Sequence, residues 1–306
     1  MKTTTGMVAA LLCVVAPTLV IAQDFSGAVT LGYGSSDVEG ISEDLSTLSL
    51  NGRAGVDFGN GFRLGIDHGV QSIDIDGVAE DVSIVAMGIY GAYRFNNGMS
   101  LGGYAEKAKL DVDALATDLS ATSYGLMGGY SAGAAHLSGF FGKTTTDPDL
   151  PAGVDIRDIG LAVKYAAAPN LTLGASAMRS RISDSVTDLD VDFIGLAGAY
   201  GVAENWSLFG GLSRASLDLV DADVTSFGVG VSYDLSSHLR MGSSVSLELA
   251  RSNASVAGVD GDLDTVRLGL SIPLGGDGFS VPMNSVADSV MAPRHNAITS
   301  AVMSAF

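Results

Sequence analysis

The chain is poor in cysteine, proline and basic residues. Its 306 residues include one cysteine, seven prolines and 16 Lys and Arg against 34 Asp and Glu, which gives a formal charge of −18 at pH 7. A single cysteine excludes a disulfide framework and a cysteine-based zinc site. The acidic balance argues against nucleic acid as a partner. The 40 glycines follow no Gly-X-Y repeat, so a collagen-like chain is also excluded.

Long apolar runs are scarce as well, and the one candidate lies at the N-terminus. Residues 7–21 are mostly apolar and contain Pro17, and Ala22 is the small residue that a secretory cleavage site needs. The sequence therefore predicts a cleaved signal peptide over residues 1–22, which includes Cys13. The alternative is an N-terminal membrane anchor, which would need ~20 apolar residues. No later segment has a comparable run, so any further insertion into a membrane would not be helical.

The rest of the chain has a two-residue period. Between Leu48 and Phe58, apolar or small residues alternate with polar ones such as Asn51, Arg53 and Asp57. Alternation of this kind places the two sets on opposite faces of a strand. The pattern recurs over residues 85–95, 227–233, 239–249 and 266–274. Each of these segments is predicted to be a strand with one apolar face and one polar face.

Turn signals divide the chain at intervals of about 35 residues. Short connections are predicted at residues 59–61, 96–98, 131–133, 167–170, 202–205 and 234–237. Longer loops alternate with them, at residues 34–44, 73–81, 109–119, 144–154, 180–189, 216–223 and 252–263. This alternation predicts about 14 strands, within a range of roughly 12 to 16, over residues 23–276. The fold class is therefore all-β, a transmembrane up-and-down antiparallel barrel, with a secreted β-sandwich or solenoid as the alternative.

Acidic and aromatic residues gather at opposite ends of the predicted strands. Most acidic residues lie in or beside the longer loops. Aromatic residues flank the short turns: Phe58, Phe62, Tyr93, Phe95, Tyr130, Tyr165, Tyr200, Trp206 and Tyr233. An aromatic belt at one membrane interface would have this distribution.

With these features the chain resembles the Gram-negative porins and related outer-membrane β-barrels. The resemblance covers residues 23–276, rests on architecture and includes no short diagnostic motif. It implies a bacterial outer-membrane location and passive diffusion of small hydrophilic solutes or ions through a water-filled lumen. It also implies outer-membrane lipid, lipopolysaccharide and the barrel assembly machinery as partners. The chain departs from the sixteen-stranded porins in having no long third loop. It also departs at its C-terminus: Phe306 is terminal, but the last predicted strand stops near Leu274, so no predicted strand ends on this aromatic residue.

Residues 277–306 form a separate tail in this scheme. Pro282 follows a glycine-rich stretch, and Ile298, Ala301 and Val302 have helical spacing. The tail is predicted to be a short helix that plugs or caps the barrel, with a final strand as the alternative.

The predicted function depends on charged residues that oppose the apolar rows and would face the lumen. The candidate pore-lining residues are Arg53, Asp57, Arg63, Asp67, Arg94, Glu106, Lys164, Arg240, Glu248 and Arg267. The candidate acidic residues of the mouth are Asp37, Glu39, Asp74, Asp76, Asp111, Asp113, Asp190, Asp192, Asp221, Asp223, Asp260 and Asp262. Lumen charges set ion preference by their summed field, and an acidic mouth concentrates cations. The sequence thus predicts a monomeric, mildly cation-preferring channel. The alternative is a closed structural or adhesive barrel whose lumen charges pair across a plugged interior.

Candidate catalytic and metal-binding patterns are weak. Gly129–Gly133 matches a nucleophile elbow but falls in a predicted hairpin turn, so no enzymatic activity is predicted. The four histidines share no metal-ligand spacing. Carboxylates alternate over Asp188–Asp192 and Asp260–Asp264, and these two segments are predicted to be solvated strand ends, with weak Ca²⁺ or Mg²⁺ binding at the rim as the alternative. No resident cofactor or metal is predicted.

Overall fold

Alternating residues and short turns fold the chain into fourteen antiparallel strands that close on themselves. The computed structural model describes residues 24–38, 44–77, 82–112, 118–184, 188–217, 222–236, 242–256, 259–275 and 281–305. The strands are β1 (Asp24–Val38), β2 (Leu45–Asp57), β3 (Phe62–Ile75), β4 (Val82–Arg94), β5 (Met99–Val112), β6 (Leu119–Ala132), β7 (Ala135–Asp147), β8 (Asp155–Ala168), β9 (Leu171–Ser183), β10 (Asp188–Ala203), β11 (Trp206–Leu217), β12 (Ala222–Asp234), β13 (Ser244–Val256) and β14 (Val259–Gly275). Each strand pairs with its neighbours in sequence, and β14 pairs with β1. The predicted fold class and strand count are confirmed, whereas the predicted signal peptide lies outside the described residues.

The outer face of the barrel is apolar and the inner face is polar. Leu31 is 48% exposed on the outer face, whereas its neighbour Thr30 is 1% exposed on the lumen side. In the β1–β2 and β1–β14 registers, Leu31 lies opposite Leu50 and Leu270, so the apolar row continues across adjacent strands. A sandwich would bury this row between two sheets. Its exposure instead suits a barrel surrounded by lipid.

The short connections lie together at one end of the barrel, called here the turn end. Gly61 illustrates their chemistry: its φ is 89°, and a Cβ there would lie 2.6 Å from the carbonyl oxygen of Arg94. The last connection differs from its prediction, because β12 ends at Asp234 and β13 begins only at Ser244. Its ends are joined by a hydrogen bond from the Leu235 amide to the Ser243 carbonyl. The strand predicted from residue 239 corresponds to β13, which is described from Ser244 onward, and residues 237–241 lie outside the described ranges.

The aromatic residues flank the turn end on the outer face. The rings of Trp206 and Tyr233 pack in a tilted arrangement with 4.8 Å between centroids, and those of Phe58 and Phe62 do so at 5.8 Å. Exposed members of this belt are Phe62, Tyr93, Phe95, Tyr130, Tyr165, Tyr200 and Trp206.

The opposite end, called the loop end, reverses the expected pattern on several strands. Val191 and Phe193 of β10 are buried on the lumen side, and so are Leu45, Ile73 and Ile84 of β2, β3 and β4. The expectation that every apolar row faces outward is therefore wrong for these segments. The reason is that the C-terminal segment offers them an apolar partner inside the barrel.

Residues 281–305, called here the plug, lie inside the barrel. They contain helix α1 (Val286–Met291) and helix α2 (Ala297–Ala305). Ser285 caps α1 by accepting a hydrogen bond from the Asp288 amide at 3.1 Å, and Asn296 caps α2 through the amides of Ile298 and Thr299. The segment forms helices rather than a fifteenth strand, since β14 already pairs with β1. Neither helix of the described chain is long and apolar enough to cross a membrane.

Candidate functional site: the plugged lumen

A row of glycines on adjacent strands receives helix α1. Gly174, Gly195, Gly211 and Gly228 come from β9, β10, β11 and β12 and lie against the helix. A Cβ on Gly211 would lie 2.7 Å from the backbone nitrogen of Ala287, which is closer than real Cβ contacts. The glycines therefore allow the helix backbone to approach the wall directly.

Apolar burial holds α1 and the start of α2 against strands β9–β12, and Val302 and Met303 of α2 also pack against the apolar cluster of β2, β3 and β4. Val286, Ala287 and Val290 of α1 are fully buried. Ala297 of α2 packs in a cluster with Phe193 of β10. Full burial of a valine side chain contributes roughly 1.5–3 kcal/mol, so these contacts form a small core within an otherwise polar lumen.

Ion pairs attach the plug to the opposite side of the wall. The guanidinium of Arg53 on β2 donates to both carboxylate oxygens of Asp288, at 2.7 Å each. It also donates to the Ala292 carbonyl at 3.4 Å. Arg294 pairs with Asp67 of β3. The plug therefore crosses the lumen from β9–β12 to β2 and β3.

The segment between the helices makes a second set of contacts on β5. The ring of His295 stacks on Tyr104 with 3.9 Å between ring centroids, and its Nδ1 lies 3.4 Å from a carboxylate oxygen of Glu106. Arg294 lies 4.0 Å from the same carboxylate. Phe140 meets the His295 ring edge-on at 5.0 Å. These contacts fix the ring of His295 across the middle of the lumen.

Two buried carboxylates are satisfied by the plug and the wall together. Asp158 is 1% exposed and accepts hydrogen bonds from Thr144 at 2.6 Å, Ser180 at 2.5 Å and Asn296 at 2.9 Å. Glu248 pairs with Arg267 at 3.0 Å, and its other oxygen accepts from the amide of Val286 at 3.1 Å. Buried charges are tolerated when partners satisfy them in this way.

The space left in the lumen is unevenly distributed. Between the plug and strands β2 and β3 there is a cavity of about 30 Å³, with room for only a few water molecules. Asn51 Nδ2 and Gln71 Oε1 line it and are buried without a hydrogen-bond partner among the described atoms. On the turn side of the plug, two adjoining cavities of about 560 and 270 Å³ form a wider space, called here the vestibule. The lumen thus narrows sharply from the vestibule to the plug.

A family model described as Gram-negative porin matches residues 18–185 and 117–255. These matches cover most of the barrel, and the resemblance noted from the sequence is confirmed. The chain belongs to the Gram-negative porin family. Its location is therefore the bacterial outer membrane. No curated protein matches the chain in sequence.

Solved structures share the porin's barrel fold at low sequence identity. A deltaS2S3 mutant of the TodX monoaromatic hydrocarbon channel is 11% identical with a TM-score of 0.51, and the match covers 83% of this chain and 91% of that one. The deltaS2 mutant of the same channel is 11% identical with a TM-score of 0.50, covering 83% and 90%. A Pseudomonas aeruginosa FadL homologue is 12% identical with a TM-score of 0.49, covering 82% and 89%. At these identities the two TodX matches show a likeness of fold alone.

The candidate pore-lining residues of the porin fall into two groups. One group contacts the plug directly or through a partner: Arg53, Asp67, Glu106, Glu248 and Arg267. The other group lies toward the turn end and lines the vestibule: Asp57, Arg63, Arg94 and Lys164. All nine lie on the lumen side, and Arg240 lies outside the described residues. The wall thus contains charges that are paired with the plug and charges that face a cavity.

The candidate mouth residues lie at the loop end, and several face outward. Asp192 binds Arg179 at 2.6 Å, and Asp190 binds Arg181 at 2.7 Å. Asp223 pairs with Arg214 in the same way. These carboxylates are therefore partly neutralised on the outer wall rather than directed into the mouth. The remaining candidates within the described ranges are Asp37, Asp74, Asp76, Asp111, Asp260 and Asp262, whereas Glu39, Asp113 and Asp221 lie outside them.

One rim carboxylate beyond the strands also has a basic partner. Lys109 Nζ lies 2.7 Å from Asp118, the residue before β6. This hydrogen bond lowers the pKa of Asp118, so the carboxylate stays ionised to lower pH. No group of three or more His, Cys, Asp or Glu side chains able to hold a metal occurs in the part of the chain that the structure describes.

The plug residues that make the strongest contacts are not among the site residues predicted from the sequence. Asp288, Arg294 and Asn296 lie in the tail, which was predicted to plug or cap the barrel but without any named contact residue. A signal was present: Ser285 and Asp288 have the spacing of a capping box, which marks a helix start. That pattern predicts a helix but not its position inside the barrel.

Proposed function

We propose that this porin is a passive channel for small hydrophilic solutes and ions, in which the plug controls the width of the lumen. The proposal includes no enzymatic activity and no resident cofactor. The observation that carries it is the make-up of the lumen. Its wall is polar and charged, it contains a wide vestibule, and one chain segment, the plug, interrupts it. A wall built only for stability would not need charges that face a cavity.

The plug can leave its place without opening the barrel. Closure depends on the backbone pairing of β1 with β14, which includes no plug residue, although Met283 and Asn284 donate hydrogen bonds to Thr30 and Leu268 of these strands. Much of the contact with the wall consists of ion pairs and hydrogen bonds, such as those of Arg53 and Asn296, which water can replace. We therefore propose that displacement of the plug converts a narrow path into a solute-sized one.

We also propose an ion preference, membrane partners and an export route for this porin. Excess carboxylates at the loop end support a mild cation preference at low salt. Outward-facing arginines at the same end, Arg179, Arg181 and Arg214, suit phosphate groups of lipopolysaccharide, with weak Ca²⁺ or Mg²⁺ as a bridge to the neighbouring carboxylates. We further propose export through a cleaved signal peptide at residues 1–22 and insertion by the barrel assembly machinery.

The second candidate function is a closed structural or adhesive barrel. The small cavity beside Asn51 and Gln71 favours it, because the space found there between the plug and the wall is too small for a solute. The two candidates differ in whether the plug moves.

A disulfide between plug and wall tests the proposal. A Cβ on Gly174 would lie 3.7 Å from the Cβ of Met291, which is within the roughly 3.5–4.5 Å that a disulfide needs. The only native cysteine, Cys13, is removed with the predicted signal peptide. The Gly174→Cys, Met291→Cys variant and its two single-cysteine controls would be refolded in detergent and reconstituted into planar bilayers.

We expect stepwise current from the wild-type porin, and less current from the oxidised double variant than from the same variant after reduction. The single-cysteine controls should not respond to the reductant. Reversal potentials in a salt gradient then report the cation preference. The channel proposal would be overturned, and the closed barrel supported, if neither the folded wild-type chain nor a folded chain ending at residue 275 carried current.

A further inference from the structure

The smaller vestibule cavity contains an excess of positive charge. Its volume is about 270 Å³, and it lies between the turn-end wall and the plug segment from Met291 to His295. Arg63, Arg94 and Lys164 line it, and no carboxylate is among its lining residues. We infer that this cavity binds a small oxyanion, such as inorganic phosphate or a short carboxylate.

The nearby acidic groups do not balance these cations. Asp57 lies 3.2 Å from Arg63 and 4.0 Å from Arg94, so one carboxylate serves both guanidinium groups. Lys164 takes part in no ion pair with any residue that the structure describes. Three like charges around a small cavity repel one another, and a bound anion would offset that repulsion.

The cavity also offers the hydrogen bonds that an oxyanion requires. Guanidinium groups bind carboxylate and phosphate oxygens in pairs, and the ammonium group of Lys164 adds a mobile donor. Hydroxyls of Ser100, Ser138 and Tyr90 lie among the lining residues. Sites for drug-sized ligands occupy roughly 300–1,000 Å³, so this cavity suits a smaller ligand.

The adjoining larger cavity lacks the same imbalance. Its lining includes four basic side chains, Arg53, Arg63, Arg94 and Arg294, and four acidic ones, Asp24, Asp57, Asp67 and Glu106. Arg53 and Arg294 are already paired with Asp288 and Asp67. The anion is therefore assigned to the smaller cavity, next to Lys164.

The site goes beyond the proposed channel function, because an anion bound at the turn end is separate from the cation preference proposed for the loop end, and its test does not depend on conductance. Isothermal titration of the refolded full-length porin in detergent, with inorganic phosphate or succinate as the probe, measures binding at equilibrium. We expect saturable binding to the wild type and about tenfold weaker binding to Lys164→Gln, because one charge-assisted contact is lost.

Lys143→Gln is the matched control, since Lys143 lies on the outward face of β7 near the loop end. It should bind both probes like the wild type. Arg94→Gln provides a second variant if Lys164→Gln fails to fold, as judged by heat-dependent mobility on detergent gels. Equal affinity of Lys164→Gln and Lys143→Gln, or no binding by the wild type, would overturn the inference. A wild type that conducts without binding either probe would leave the channel proposal intact.

Discussion

Removal of the Asp288 carboxylate should release the plug. In Asp288→Asn, the guanidinium of Arg53 keeps its place on β2 but loses a bidentate partner at 2.7 Å. Breaking a buried ion pair costs about 3–5 kcal/mol, and because the Arg53 side chain is 23% exposed we expect about 2 kcal/mol here. Such a change raises the released population about 30-fold.

Tryptic cleavage of a single peptide bond can measure the population in which the plug is released. Arg294 is the only Lys or Arg between residue 277 and the C-terminus, and its side chain is 10% exposed while the plug is docked. Cleavage after Arg294 therefore requires release, and its rate follows the released fraction when docking is fast relative to cleavage.

The matched control for this experiment is Asp260→Asn at the loop end, which removes the same charge far from the plug and should leave cleavage unchanged. In the Arg53→Ala, Asp288→Ala double variant, neither charge is left unpaired, so cleavage should be slower than in Asp288→Asn. If Asp288→Asn were cleaved at the wild-type rate, the ion pair would not hold the plug and the reasoning would be refuted.

Three further predictions concern the plug and the membrane belt. Gly211→Val should displace α1 and accelerate tryptic cleavage after Arg294, since even a Cβ at Gly211 would lie 2.7 Å from the backbone nitrogen of Ala287. The control Gly261→Val, at a position with open space around it, should leave the cleavage rate unchanged. Asn296→Ala removes the cap of α2 and one bond to Asp158 and should lower the thermal unfolding midpoint, at a cost of about 1–2 kcal/mol; an unchanged midpoint would contradict the assigned cap. Trp206, the single tryptophan, is 47% exposed on the outer face, so brominated lipid should quench its fluorescence in bilayers, and unquenched emission would place it elsewhere.

The sequence alone determined the wall of this protein. Strict alternation over segments such as Leu48–Phe58, together with turn residues such as Gly61, specifies strands, their two faces and the antiparallel order. These are local properties, because side-chain period and turn chemistry act over a few residues. The inward direction of Arg53 and Lys164 follows from the same period.

Only the tertiary structure decided what the wall encloses. Arg53 and Asp288 are 235 residues apart, and the four glycines under α1 become neighbours only when strands β9 to β12 lie side by side. The same closure explains why Phe193 faces inward, since an apolar residue packs against whichever apolar surface is present, lipid outside or the plug inside. Local patterns record that a residue is apolar and which face of its strand it occupies, and the surface that covers it depends on contacts made by distant parts of the chain.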